Sequence, residues 1–209
     1  MSAGRGRVTG GPPPTVLLFD VGDVLVELGP PPLQDAWLPP GASREALWAD
    51  WLRMPAARDF EAGRTEAGAF ADAMIGALGL RCDPGTFLDA FAAWPVAPFP
   101  GTLEWLDGLR GRYALAMLSN TNALHFARMT GEMGLTARLD HRFVSHEIGT
   151  VKPDPGIYVH AIDALGVPTG EIAFFDDNRA NVDAARALGM DAHHTVGPEA
   201  VRAAVASLG

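Results

Sequence analysis

Cysteine is nearly absent from this chain. Cys82 stands alone, so no internal disulfide can form, and no cysteine-rich zinc pattern exists. A reducing, cytoplasmic setting is expected. Basic residues are also scarce. Sixteen Lys and Arg face 25 Asp and Glu, for a net charge of −9. That balance argues against nucleic acid and against anionic membrane surfaces as partners, although a local cluster can still accept a small anion. No apolar run is long enough to span a bilayer. Arg5 and Arg7 are not followed by the apolar stretch of a signal peptide. Internal repeats are missing too, which excludes solenoids and propellers. The 209 residues allow one large domain or two small ones, as a monomer or a homodimer.

What is present is organised around residues 16–28, VLLFDVGDVLVEL. Residues 16–19 form a short, unbroken apolar run after a Pro/Gly-rich lead-in (1–14) that is expected to be disordered. Such a run reads as a strand buried on both faces, as in parallel sheets. It stops at Asp20, where open α/β sheets place their ligands. Gly22 then lets the backbone turn sharply or approach a ligand closely. Further apolar runs at 113–118, 141–145, 172–175 and 193–196 alternate with helical patterns, among them one opened by Asp154-Pro155 and one over 179–188. This βαβα alternation predicts an α/β doubly wound, Rossmann-like parallel sheet with helices on both faces, built from 15–29 and 99–209.

Residues 30–98 differ in character. Gly29-Pro30-Pro31-Pro32 marks one linker, and Pro95, Pro98 and Pro100 mark a second. Between them the pattern is helical and predicts a small cap domain. Ser43 can cap a helix holding Leu47 and Trp51, Thr65 one carrying Phe70, Met74 and Leu78, and Asp83-Pro84 a third. Residues 59–64 (DFEAGR) read as a turn, with Glu61, Gly63 and Arg64 as a substrate-facing loop. Trp37, Trp48, Trp51 and Trp94 are expected in the cap's own core.

Three strand ends carry reactive polar groups: Asp20, Ser119, and the adjacent pair Asp176 and Asp177. Lys152 enters a helix between the second and the last. In a parallel sheet all carboxyl ends lie on one edge, so these groups can converge. Adjacent carboxylates repel and call for a cation or a proton. The chemistry that uses such a set is phosphoryl transfer through an aspartyl phosphate, with Mg²⁺ offsetting the repulsion between nucleophile and phosphate. Asp20, Asp177, Asp176 and the carbonyl of Gly22 are the candidate metal ligands. Ser119 and the backbone near Asn120 would hold phosphate oxygens, and Lys152 would counter charge. Asn181 is expected to orient the metal ligands.

FDVGDVL (19–25), LSNTN (118–122), VKPDPGIY (151–158) and FFDDNRANVDAA (174–185) together resemble the four motifs of the haloacid dehalogenase-like hydrolase superfamily. LSNTNALH and FFDDN are most similar to the branch holding bacterial α-glucose-1-phosphate phosphatase, with the phosphatase domain of soluble epoxide hydrolase a more distant relative. The resemblance implies a Mg²⁺-dependent phosphomonoester hydrolase acting on a small phosphorylated metabolite such as a sugar 1-phosphate. Its catalytic residues would be Asp20, Ser119 and Lys152, and its phosphate-binding residues Ser119, Asn120 and Lys152. It also implies a departure: most phosphatases of the superfamily carry a second Asp two residues after the nucleophile, where this chain has Gly22. Asp23 is one residue late and cannot inherit the role. Leaving-group protonation is then weak or comes from water or the cap. The alternatives are a metal-independent 2-haloacid dehalogenase and a catalytically impaired binding protein.

Overall fold

The computed structural model describes residues 13–208, so most of the expected lead-in (1–14) lies outside the described residues. Strand β1 (Val16–Phe19) is buried along its whole length. It is the middle strand of a five-stranded sheet, β5-β4-β1-β6-β7. The others are β4 (Ala114–Ser119), β5 (His141–Val144), β6 (Ile172–Asp176) and β7 (Asp191–His194), and every pairing is parallel. Alternate residues of β1 feed opposite faces. Leu17 and Phe19 join a cluster with Leu106, Met117 and Val201, whereas Val16 and Leu18 join one with Ile157, Phe174 and Val182. Helices therefore cover both faces, which is why the run had to be apolar throughout.

A third apolar cluster draws on residues 33–94 and one partly buried core residue, Leu124. Its helices are α1 (Arg44–Trp51), α2 (Pro55–Glu61), α3 (Ala67–Leu78) and α4 (Pro84–Ala92). Ser43 and Asp83 cap as their spacing implied, accepting from the backbone N–H of Ala46 and Thr86. Phe70, Met74 and Leu78 are buried, and Trp37, Trp48, Trp51 and Trp94 all belong to this cluster.

The structure departs from sequence expectation at four places. Residues 59–61 are not a turn but the last turn of α2, opened by Pro55 and anchored by buried Phe60. Helix α3 starts after Glu66 rather than Thr65. The second proline-rich stretch is a strand, β3 (Pro95–Pro98), paired antiparallel with β2 (Val26–Leu28). Proline is tolerated there because a two-stranded ribbon consists only of edge strands. The last strand lies two residues earlier than 193–196, because Asp191–His194 pair with residues 173–176 and β6 ends at Asp176, whose carbonyl takes the last rung from the Thr195 amide.

Four further helices complete the part of the core used below: α5 (Thr102–Leu109), α6 (Ala123–Thr130), α7 (Ser145–Ile148) and α8 (Pro155–Leu165). The chain closes with α9 (Arg179–Ala187) and α10 (Pro198–Ala206). No helix among the described residues is long and apolar enough to cross a membrane.

Candidate active site

The carboxyl edge of the sheet brings the strand-end residues together. Asp20 follows β1 with its amide on the Phe175 carbonyl, which carries the parallel ladder one step past the strand. Lys152, the only lysine in the chain, reaches in from the loop before α8. Its Nζ lies 2.7 Å from Asp20 Oδ1 and 2.7 Å from Asp176 Oδ2, with a side chain only 1% exposed. Asp176 is fully buried. Its oxygens also accept from Asn181 Nδ2 (3.0 and 3.1 Å) and from the Asn178 amide (2.8 Å). Carboxylate oxygens of Asp20, Asp176 and Asp177 lie within 4.8 Å of one another.

The crowding perturbs Asp20, Asp177 and Lys152. Burial raises Asp20 to about 7; Lys152 opposes the shift and Asp176 adds to it. Burial and the neighbouring Asp176 also raise Asp177. Burial works against the charge on Lys152, but the carboxylates of Asp20 and Asp176 outweigh it and raise the lysine further. With all three carboxylates ionised, one ammonium would leave two negative charges, and the raised Asp20 and Asp177 show the edge resisting that state for want of positive charge.

The side-chain amide of Asn120 brackets the backbone of Lys152. It accepts from the Lys152 amide at 2.7 Å and donates to the Lys152 carbonyl at 3.0 Å. The Asn120 side chain therefore fixes where the lysine starts, and is not free for phosphate. Ser119 is buried and has only a 3.5 Å contact to the Asn120 carbonyl, at the outer limit for a hydrogen bond, so its hydroxyl is available. Asn181, expected to orient metal ligands, holds Asp176. Tyr158 fixes it in turn by donating to the Asn181 carbonyl.

A cavity of about 280 Å³ opens over this edge, with Asp20, Gly22, Ser119, Lys152 and Asp177 on its floor. Asp176 is not in its wall. Asp177 is, and its carboxylate takes no hydrogen bond from any other described residue. Asp23 also stays out of the wall, in a left-handed conformation (φ 52). A Cβ on Gly22 would stand 3.0 Å from the end of the Leu28 side chain of β2, which would have to give way by a few tenths of an ångström.

The roof carries residues that sequence reasoning assigned only in part. Glu61 lines this cavity and also a second one, of about 530 Å³, that runs under α2 past Arg53 and Arg58. Gly63 and Arg64, grouped with Glu61 at the sequence level, do not reach either cavity. They join the cap to the core: Arg64 donates to the Gly149 carbonyl, and a Cβ on Gly63 would collide with the His146 carbonyl oxygen. Asp154, read as an N-cap, instead pairs with Arg58 of the cap at 2.7 Å. Trp94 and His125 were missed as cavity residues. His125 accepts from Asn122 and donates from Nε2 to the Phe91 carbonyl at 2.7 Å. Burial holds it down at about 4, so it is neutral. No spacing rule singles these residues out, because their place depends on how the cap lies on the core.

Comparison with known proteins agrees with this architecture. A family model described as haloacid dehalogenase-like hydrolase matches residues 14–189. An (S)-2-haloacid dehalogenase of a Pseudomonas strain is 28% identical over 185 residues, 83% of this chain and 81% of that protein. A pyrimidine 5'-nucleotidase of Escherichia coli is 26% identical over 133 residues, 58% of this chain and 59% of that one. Among solved structures, a HAD family enzyme from Bacteroides thetaiotaomicron in a magnesium complex superposes with a TM-score of 0.71 at 21% identity, covering 89% of this chain and 95% of that chain. The fold, the acid–lysine edge and the family match together place the chain among the haloacid dehalogenase-like hydrolases.

Proposed function

We propose that the protein is a Mg²⁺-dependent phosphomonoester hydrolase for a small phosphorylated metabolite. One observation carries the reading: an oxygen-only group of three carboxylates that, once all are ionised, a single buried lysine leaves two charges short of neutral. One divalent cation meets that deficit, and Mg²⁺ suits carboxylate, carbonyl and water ligands. Asp20, Asp177 and the Gly22 carbonyl are the residues that would hold it. Asp176, whose oxygens are already occupied, orients Lys152. When bound, the cation supplies the positive charge that lets a carboxylate approach a phosphate.

The chain's own residues perform the displacement. The free Oδ of Asp20 attacks phosphorus, the ester P–O bond breaks, and an aspartyl phosphate forms. Ser119 donates its hydroxyl to a phosphate oxygen, and Lys152 balances the charge that builds up. Water then attacks phosphorus, restoring Asp20 and releasing inorganic phosphate. A cavity of about 280 Å³ is at the lower end for ligand pockets, which favours a metabolite of few atoms.

The identity to a haloacid dehalogenase supports a second reading. Asp20 could attack carbon instead, expelling a halide that needs neither metal nor proton. Asp176 would still hold Lys152, but Asp177, which takes no hydrogen bond from any other described residue, would then serve no purpose. The test is hydrolysis of 4-nitrophenyl phosphate with Mg²⁺ and with EDTA, alongside chloride release from 2-chloropropionate. Metal-dependent phosphate release that Asp20→Asn abolishes supports the phosphatase. Chloride release unaffected by EDTA, with no phosphate release, supports the dehalogenase. Silence in both assays points to a binding protein.

A further inference from the structure

Hydrolysis of an ester whose alcohol is a poor leaving group needs a proton delivered to the departing oxygen. On the cavity wall the titratable groups are Asp20, Asp177, Lys152, His125 and Glu61. Asp20 is the nucleophile of the proposed reaction, and Asp177 belongs to the acidic group beside it. Lys152 is held by two carboxylates. His125 spends one ring nitrogen on Asn122 and the other on the Phe91 carbonyl. Gly22 offers no side chain, and Leu28 occupies the space beside it. Glu61 is the one left. It projects from the cap, while Asp20 rises from the sheet edge, and in an in-line displacement the alcohol departs on the side away from the nucleophile.

The cap segment that carries Glu61 is fastened to the core. The Ser145 hydroxyl donates to the Glu61 carbonyl at 2.6 Å, and Arg58 pairs with Asp154 at 2.7 Å. Gly63 abuts the His146 carbonyl, and Arg64 reaches the Gly149 carbonyl. The Glu61 carboxyl, by contrast, hydrogen-bonds no described residue. A half-buried carboxyl with a fixed backbone and no partner, facing the reaction cavity, is placed to exchange a proton with whatever the cavity holds.

We propose that Glu61 is the general acid and base of this hydrolase, supplied by the cap in place of a side chain at position 22. The inference rests on the phosphatase reading above. In the first half-reaction the Glu61 carboxyl gives its proton to the ester oxygen as the P–O bond breaks and Asp20 takes the phosphoryl group. In the second, the Glu61 carboxylate removes a proton from the water that attacks phosphorus. The bond to Asp20 then breaks, inorganic phosphate leaves, and Glu61 is protonated again. The ionisation fits this use: burial raises Glu61 to about 7, against the pull of Lys152 and Arg58. Asp20, Asp177 and neutral His125 line the same cavity as Glu61, and Arg53 lines the second cavity with it.

The experiment compares Glu61→Gln with wild type on two aryl esters in Mg²⁺. Phenyl phosphate releases an alcohol resembling the tyrosine side chain, with a pKa of about 10. 4-Nitrophenyl phosphate releases a far more acidic phenol that needs little protonation. We expect Glu61→Gln to lose about 100-fold in kcat/KM on phenyl phosphate and less than about threefold on 4-nitrophenyl phosphate. The wild-type alkaline limb near pH 7 should also disappear from the phenyl phosphate profile. Glu61→Asp, which keeps an acid, should recover part of the lost activity. Equal losses of kcat/KM on both esters overturn the proposal and make Glu61 a binding or structural residue. The retained 4-nitrophenyl phosphate activity shows that the variant is folded. Wild type inactive on both esters overturns the phosphatase reading itself, and this inference with it.

Discussion

The floor and the roof of the cavity are built in different ways. The floor comes from strand ends of one parallel sheet, so backbone geometry alone brings Asp20, Ser119 and the pair at 176–177 to a single edge. The roof comes from the end of α2 and the β2–β3 ribbon, and it is positioned by the seams where α2 meets α7 and the start of α8 and where α4 and β3 meet α6. Those seams consist of side-chain and single-backbone contacts: Arg58 to Asp154, Ser145 to Glu61, Gly63 against His146, His125 to Phe91. The floor is therefore set by the fold, and the roof by a few residues that can be altered one at a time.

The largest effect is expected on the floor. Lys152→Met leaves three carboxylates without their cation. It should lower kcat/KM on 4-nitrophenyl phosphate by about 10²–10³-fold and stability by about 3 kcal/mol, measured by denaturant titration. Activity near wild type would break the account of the floor. Gly63→Ala attacks the seam next, because the residue has φ 67 and no room for a Cβ against the His146 carbonyl. A loss of about 2–4 kcal/mol is expected, together with a raised KM, since the roof must shift.

His125 gives the seam a pH dependence with a defined sign. It is held at about 4 in the folded protein, below the usual value of about 6.5, so between these values the unfolded chain takes up a proton that the folded one does not. Its contribution is complete above pH 6.5 and is lost as pH falls towards 4. Across that window wild type should lose up to about 3 kcal/mol more than His125→Gln. The smallest effect is expected from Arg58→Ala. The ion pair with Asp154 is half exposed on both sides, so stability should change by less than about 1 kcal/mol. Because Arg58 also pulls Glu61 down, its loss should move the alkaline limb on phenyl phosphate to higher pH.

This division explains what the sequence made legible. Asp20, Ser119 and the pair at 176–177 could be read because an apolar run of strand length ends at each, and strand ends of a parallel sheet converge. Lys152 could be placed near them from its Pro-rich helix entry, although not with its amide bracketed by Asn120. Gly63 does stand just past a helix end, but residues 59–61 belong to that helix rather than to a turn, because Phe60 has a place in the cap core that local pattern does not reveal. Pro95–Pro98 was misread as a linker because prolines normally exclude a strand, and only the partner β2 shows that no inner ladder is needed. Trp94 and His125 reach the cavity through contacts between segments more than 30 residues apart, which local patterns do not encode.

The most direct test of the account is to quench the enzyme in acid during steady turnover of 4-nitrophenyl phosphate with Mg²⁺ and to weigh the peptide that contains Asp20. The account predicts one added phosphoryl group on that peptide, none in Asp20→Asn, and more of it in Glu61→Gln, where removal by water is slowed. Turnover that leaves the peptide unmodified and persists in Asp20→Asn would contradict it.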